Sequence, residues 1–260
     1  MKLASLRLIP ALCAPALLCG QSNPRQVQPE RPTVATHAGT VAPGCLEIES
    51  GIQIDHVAAS SDGLSLPTAF KIGLAGNAQL SIFASLVRPP AESSVGFGDL
   101  GIGVKWRLID DAPVLGRFAV LPSVKLPTGS TTTGAGTGTT DESLLVISSH
   151  TFGPISMDAN ASITRRSGSG ASVPKTATLA TLSFGGPLVG RAGWAAEVFT
   201  YPGTSGPAGA STTVSALFGP TLSVSDELAL DTGVILPIKG TSPRYSLYAG
   251  GVVNVGRLFR

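Results

Sequence analysis

The stretch GDLGIGVKWRLIDD, Gly98–Asp111, decides how this chain is to be read. Every second residue from Leu100 (Leu100, Ile102, Val104, Trp106 and Leu108) is apolar. The residues between them (Asp99, Gly101, Gly103, Lys105 and Arg107) are small or charged. A period of two is the mark of a strand with two unlike faces. Working outward, the same alternation recurs along the chain from Leu46 onward. LEIESGIQID sets Leu46, Ile48, Ile52 and Ile54 against Glu47, Glu49, Gln53 and Asp55, and AFKIGL sets Phe70, Ile72 and Leu74 against Lys71. QLSIFASL sets Leu80, Ile82 and Leu86 against Gln79, Ser81 and Ser85, with Phe83 on the polar side. Further segments follow at Gly116–Leu126, Ile155–Thr164, Arg191–Phe199, Glu227–Leu236 and Arg244–Val255, and Ser143–His150, Thr176–Phe184 and Thr212–Ser223 alternate less cleanly. The spacing predicts about twelve antiparallel strands, joined by short turns such as Gly76-Asn77 and by long Gly/Ser/Thr loops.

Composition says which face is wet. Only 13% of the 260 residues are charged, against ~25% in ordinary soluble proteins, and the formal net charge is +2. That balance argues against a nucleic-acid-binding surface. Mean hydropathy is positive (+0.31), yet beyond the first 20 residues no apolar run reaches the length of a spanning helix. A twelve-strand sandwich would carry many Lys and Glu on its solvent face. Here the polar faces hold Gly, Ser, Ala and one or two charges each. They count six acids (Glu47, Glu49, Asp99, Asp158, Glu197, Asp231) and six bases (Lys71, Lys105, Arg107, Arg117, Lys125, Arg244). Such charges suit pairing across a lumen; turned toward lipid, each base would cost roughly 2–4 kcal/mol. The expectation is an all-β, up-and-down transmembrane barrel over 45–260, apolar outside and charged within. Asp99, Lys105, Arg107, Arg117, Lys125, Asp158, Glu197 and Asp231 are its pore-lining candidates. Trp106, Trp194, Tyr201, Tyr245, Phe70, Phe118 and Phe199 are available for a thin interfacial girdle.

Residues 1–20 have the makings of a signal peptide: Lys2 and Arg7, an apolar core from Leu8 to Leu18, and Ala14-Pro15-Ala16 as one cleavage option. Residues 21–44, rich in Pro, Gln and Thr, read as a flexible leader. No Cys/His spacing suggests a metal. Gly96–Gly101 matches G-x-G-x-x-G, but the strand pattern runs straight through it, whereas a dinucleotide site needs a helix there. His37, His56 and His150 are far apart, no G-x-S-x-G occurs, and no catalytic constellation or cofactor site is expected.

VGFGDLGIGVKWRLIDD, GRFAVLPSVKLPTG, GTGTTDESLLVISSHTFGPISMDANASITRR and WAAEVF, in that order, resemble the bacterial outer-membrane proteins of the MetA-pathway phenol-degradation family, over roughly Leu46 to the C-terminus. Gly98, Asp99, Lys105, Trp106, Arg107, Lys125, Pro127, Gly129, Gly138 and Asp141 carry the match. The resemblance implies an outer-membrane barrel giving passive passage to small hydrophobic or aromatic solutes, with outer-membrane lipid and the barrel assembly machinery as partners. Phe259 is followed by Arg260, where such barrels commonly finish on an aromatic. The alternative is a structural or binding module, either a plugged barrel or a secreted β-sandwich.

Overall fold

The structure is a computed structural model describing residues 23–167, 175–204, 210–240 and 243–259. The signal peptide expected over 1–20 lies outside them. The alternating segments form β1 (Cys45–His56), β2 (Gly63–Gly73), β3 (Ala78–Arg88), β4 (Gly96–Phe97), β5 (Leu100–Ile109), β6 (Arg117–Leu126), β7 (Thr140–Phe152), β8 (Ile155–Ser167), β9 (Thr176–Val189), β10 (Ala192–Tyr201), β11 (Thr213–Ser225), β12 (Leu228–Lys239) and β13 (Tyr245–Arg257). Each long strand pairs antiparallel with its neighbours in sequence, β3 with β5, and β13 with β1. The result is a closed barrel of 12 strands, with β4 as a short extra strand on β3. Closure leaves no sheet edge unpaired, which a spanning sheet requires because lipid offers no hydrogen-bond partner. The layered sandwich is excluded.

One end of the barrel has tight connections: Gly153-Pro154, Gly190-Arg191 and Asp226-Glu227 join β7–β8, β9–β10 and β11–β12. Gly153 (φ 60°) and Gly190 (φ 58°) supply the left-handed backbone that two-residue hairpins need. Longer loops, such as 127–139 between β6 and β7, gather at the other end. The ladder skips residues beside three prolines: Leu66-Pro67 opposite Gly51-Ile52, Leu121-Pro122 opposite Val104-Lys105, and Gly219-Pro220 opposite Thr232-Gly233. Proline brings no N–H to a ladder.

The outer face bears out the reading of the opening stretch. Ile102, Val104, Trp106 and Leu108 are 38–53% exposed, and Leu144, Ile163, Val198, Phe218, Leu230, Leu247 and Val255 on other strands 42–59%, while Lys105 beside them is 0% exposed. Several hydroxyls on the outer face are hydrogen-bonded. Ser50 and Thr68 bond each other at 2.9 Å, and Thr232 donates to the Tyr248 carbonyl at 2.8 Å. A hydroxyl left unbonded in hydrocarbon would carry its full desolvation cost.

Two expectations are corrected inside. Residues 23–44, composed like a loose leader, enter the lumen at the tight-turn end and return to β1 there. Val27 N–H donates to Asp226 at that end, and Gly44 N–H to Gly73 beside the start of β1. Composition suggested disorder because the segment lacks apolar periodicity. Apart from one bridge between Pro43 and Gly73 at the end of β2, the segment has no strand partner, and inward-facing side chains take most of its backbone bonds. Secondly, the inner face is not purely polar. Ala38 packs with Ala119, Leu121, Ile147 and Phe83, Val34 with Phe199, Leu217 and Tyr248, and Val27 with Ala229 and Val252. Phe199, 8% exposed, is thereby withdrawn from the interfacial girdle, because its strand parity matches Glu197.

Candidate functional site: the lumen and the segment within it

The wall holds the segment mainly by its main chain. Glu47 accepts the Gln28 N–H through both oxygens (3.0 and 3.1 Å), and Glu49 accepts that of Glu30 at 2.8 Å. Glu197 bridges two successive N–H groups, Val34 and Ala35, at 2.7 Å each. Asn160 both accepts from Thr36 N–H (2.7 Å) and donates to Thr36 C=O (2.9 Å), as a neighbouring strand would. Ser149 takes Ala38 N–H at 2.8 Å and Gln79 takes Val41 N–H at 3.0 Å. The bonds to the glutamates are charge-assisted, about twice as strong as neutral ones, and together with those to Asn160, Ser149 and Gln79 they satisfy backbone that would otherwise be buried without partners.

Two side chains of the segment complete the ion pairing. Glu30 pairs with Lys105 and lies 4.0 Å from Lys71, which also meets Glu47 at 3.2 Å and pairs with Glu49. Arg31 grips Asp231 by two bonds of 3.0 and 3.1 Å. The lumen's charges are therefore not matched across open space, as the equal counts suggested. They are matched with adjacent strands and with the segment. Burial pushes the Glu30 carboxyl up, but Lys105 and Lys71 overcome it and hold it well below the usual carboxylate range. Burial and the Lys105 ammonium push His37 down to about 3, so its ring is neutral.

The eight pore-lining candidates fall at three levels. Asp99 and Lys125 sit toward the long-loop end, 2.8 Å apart, where Asp99 also accepts Gly129 N–H and Thr137 N–H at 2.9 Å each and so pins loop 127–139. Burial raises the Asp99 carboxyl, but the bonds from Lys125, Thr137 and Gly129 prevail and hold it down to about 2. Asp141, which Lys125 approaches at 3.4 Å and Arg166 at 3.0 Å, belongs to this cluster. At mid-strand, Lys105 and Glu197 face the segment. Nearer the tight turns, Arg107 pairs with Asp110 at 2.7 Å and donates to Thr40 and the Gly76 carbonyl. Asp231 is taken by Arg31. Arg117 and Asp158 remain, facing a cavity of about 440 Å³ between the segment and β6–β13.

Sequence reasoning missed Glu30, Arg31, Gln79 and Asn160. The last two belong to well-alternating strands and were legible as inward-facing. Glu30 and Arg31 carry no such signal, since they lie between prolines in a segment without period. Also unforeseen is the fit of Tyr248, buried on the inner face. A Cβ added at Gly233 would lie 2.2 Å from its hydroxyl, and one at Gly219 would lie 2.5 Å away. These two glycines leave room for the ring to lie over β11 and β12.

No family model and no curated protein matches the chain. Solved structures do. An outer-membrane channel from Pseudomonas putida F1 superposes with TM-score 0.65 at 10% identity, covering 84% of this chain and 97% of that one. The KdgM porin, in complex with disordered oligogalacturonate, gives 0.51 at 12% identity over 82% and 99%. The translocator domain of the autotransporter NalP from Neisseria meningitidis gives 0.50 at 12% identity over 84% and 89%. At these identities the likeness is one of fold: the chain has the fold of outer-membrane β-barrels.

Proposed function

We propose that this chain is an outer-membrane channel of restricted bore, passing small solutes by diffusion and not acting as an enzyme. The observation that carries the reading is the division of one wall into two solvents. A mainly apolar surface faces outward, while Lys71, Lys105, Glu47 and Gln79 on the same strands are 0% exposed within. That arrangement is stable only with lipid outside and a polar interior. The fold shared with a Pseudomonas channel and a porin supports it. Export by residues 1–20 and insertion by the barrel assembly machinery complete the route to the outer membrane. The resemblance to the phenol-degradation family points to hydrophobic or aromatic solutes. The cavity's Arg117, Asp158, Ser149 and Ser183 favour polar ones instead, and we take the polar class as the better supported.

The test is conductance. Purified full-length chain that migrates as a heat-modifiable barrel is reconstituted into planar bilayers; small, discrete current steps are expected. A folded barrel that holds the baseline overturns the channel reading. It would favour a second reading, a plugged binding barrel, which rests on the segment lying across mid-lumen between Glu197 and Asn160.

A further inference from the structure

Among the described residues, most inward-facing bases of the walls and of the segment are compensated by a nearby carboxylate. Lys71 and Lys105 have Glu30, Arg31 has Asp231, Arg107 has Asp110, and Lys125 and Arg166 have Asp141. Arg117, the exposed first residue of β6, makes no hydrogen bond and no ion pair, and it lines the cavity of about 440 Å³. The register sets out what stands beside it. Arg117 is opposite Ser149 on β7, Ser149 is opposite Asp158 on β8, and Asp158 is opposite Ser183 on β9. With strands ~4.8 Å apart, the backbones carrying Arg117 and Asp158 are separated by roughly 10 Å. Asp158 has one bond, from the Ser149 hydroxyl at 2.5 Å, and no base within ion-pair distance. A cation and an anion, neither of them in an ion pair, therefore stand on either side of Ser149 on the wall of a cavity large enough for a small organic molecule.

From this row we infer a binding site for small carboxylates that carry a hydrogen-bond donor of their own, such as hydroxy acids or amino acids. The guanidinium offers a planar fork matched to a carboxylate. Asp158 has a second carboxyl oxygen free to accept, so it rewards a ligand hydroxyl or ammonium. A second acidic group so close is unfavourable, which sets phosphate at a disadvantage. Ser149 between the two poles and Ser183 on the far side of Asp158 supply neutral partners. The site deepens the channel reading, since it names the solute class the lumen retains, and it rests on that reading for its physiological use. Binding itself can be measured without conduction.

The experiment uses the full-length chain in detergent, with saturation-transfer NMR of glycerate, propionate, glycerol and inorganic phosphate titrated separately. Glycerate is expected to bind best. R117Q is expected to weaken it roughly tenfold, the loss of one charged hydrogen-bonding partner. D158N is expected to abolish the preference for glycerate over propionate while leaving propionate unchanged. R165Q, on the outer face beside Glu142, serves as the control and leaves all titrations as they were. Equal glycerate affinity in R117Q and the unchanged chain overturns the site, as does phosphate binding as tightly as glycerate. A barrel that conducts but binds no carboxylate loses this site and keeps the channel. One that binds glycerate and passes no current keeps the site and loses the channel.

Discussion

The β1–β5 flank of the lumen and the β6–β13 flank have the same construction and opposite contents. On the first, Glu47, Lys71, Gln79 and Lys105 are all 0% exposed, locked among themselves and against Gln28, Glu30 and Val41. On the second, Asn160, Glu197 and Asp231 also hold the segment, but toward the tight turns Arg117, Asp158 and a run of hydroxyls border a cavity of about 440 Å³. Both flanks show the same inward alternation, and both place charge inside. The difference is where the 23–44 segment runs. Strand parity chooses which side chains look inward, and the occupant decides whether they meet protein or solvent. A polar inner wall is therefore not yet a pore.

Removing residues 23–44 is the strongest way to break the contrast. Both flanks then face one continuous lumen, and single-channel conductance is expected to rise several-fold with heat-modifiable migration retained. Unchanged conductance would show that the segment does not limit the bore. Next in size is E30Q. Lys105 would lose its carboxylate while fully buried, and breaking a buried pair from one side costs about 3–5 kcal/mol. The urea midpoint of the barrel should fall accordingly, whereas D158N on the open flank should shift it little. A midpoint unmoved by E30Q would mean that Lys71 and Lys105 are not dry.

Acid should loosen the packed flank before the fold. His37 is neutral where it lies, pushed down to about 3 from an ordinary 6.5. A released segment would take up a proton below pH 6.5 that the lodged one refuses. The hold is thus at full strength above pH 6.5 and weakens as the pH falls from 6.5 toward 3. Asp99 acts lower: held down to about 2 from 3.8, it keeps its contribution above pH 3.8 and loses it toward pH 2. Conductance recorded along a descending pH series should rise in the upper window, and H37Q should remove that rise. A series in H37Q identical to that of the unaltered chain would place the acid response elsewhere.

The smallest effects concern Tyr248. Its buried hydroxyl has no hydrogen-bond partner. Y248F should therefore be neutral or stabilising, by up to ~1 kcal/mol, since nothing is left unsatisfied by the change. G233A should instead destabilise by about 1–3 kcal/mol, because its methyl would meet that ring. A Y248F barrel clearly less stable in urea would point to a partner for the hydroxyl.

Legibility followed periodicity. In β5 each residue's side of the wall was readable, because an outward Lys105 or Arg107 would be intolerable in lipid and the pattern left one register. The pore-lining set was legible as inward-facing for the same reason. Its grouping was not: Asp99 and Lys125 are far along the barrel from Arg117 and Asp158, and period-2 alternation says nothing about height or partner. Phe199 and Tyr248 show the opposite limit. Read as greasy residues they belong outside, yet their parity turns them inward, where Val34 covers them.

By itself the amino-acid order determined a closed antiparallel barrel and the face each strand turns to lipid, because burying charge in hydrocarbon has no cheap remedy. Only the tertiary structure decided that a prolyl-rich segment without period would lodge in the lumen. Its backbone N–H groups are bonded by carboxylates and amides from β1, β3, β8 and β10, residues brought together by closure and not by proximity in the chain.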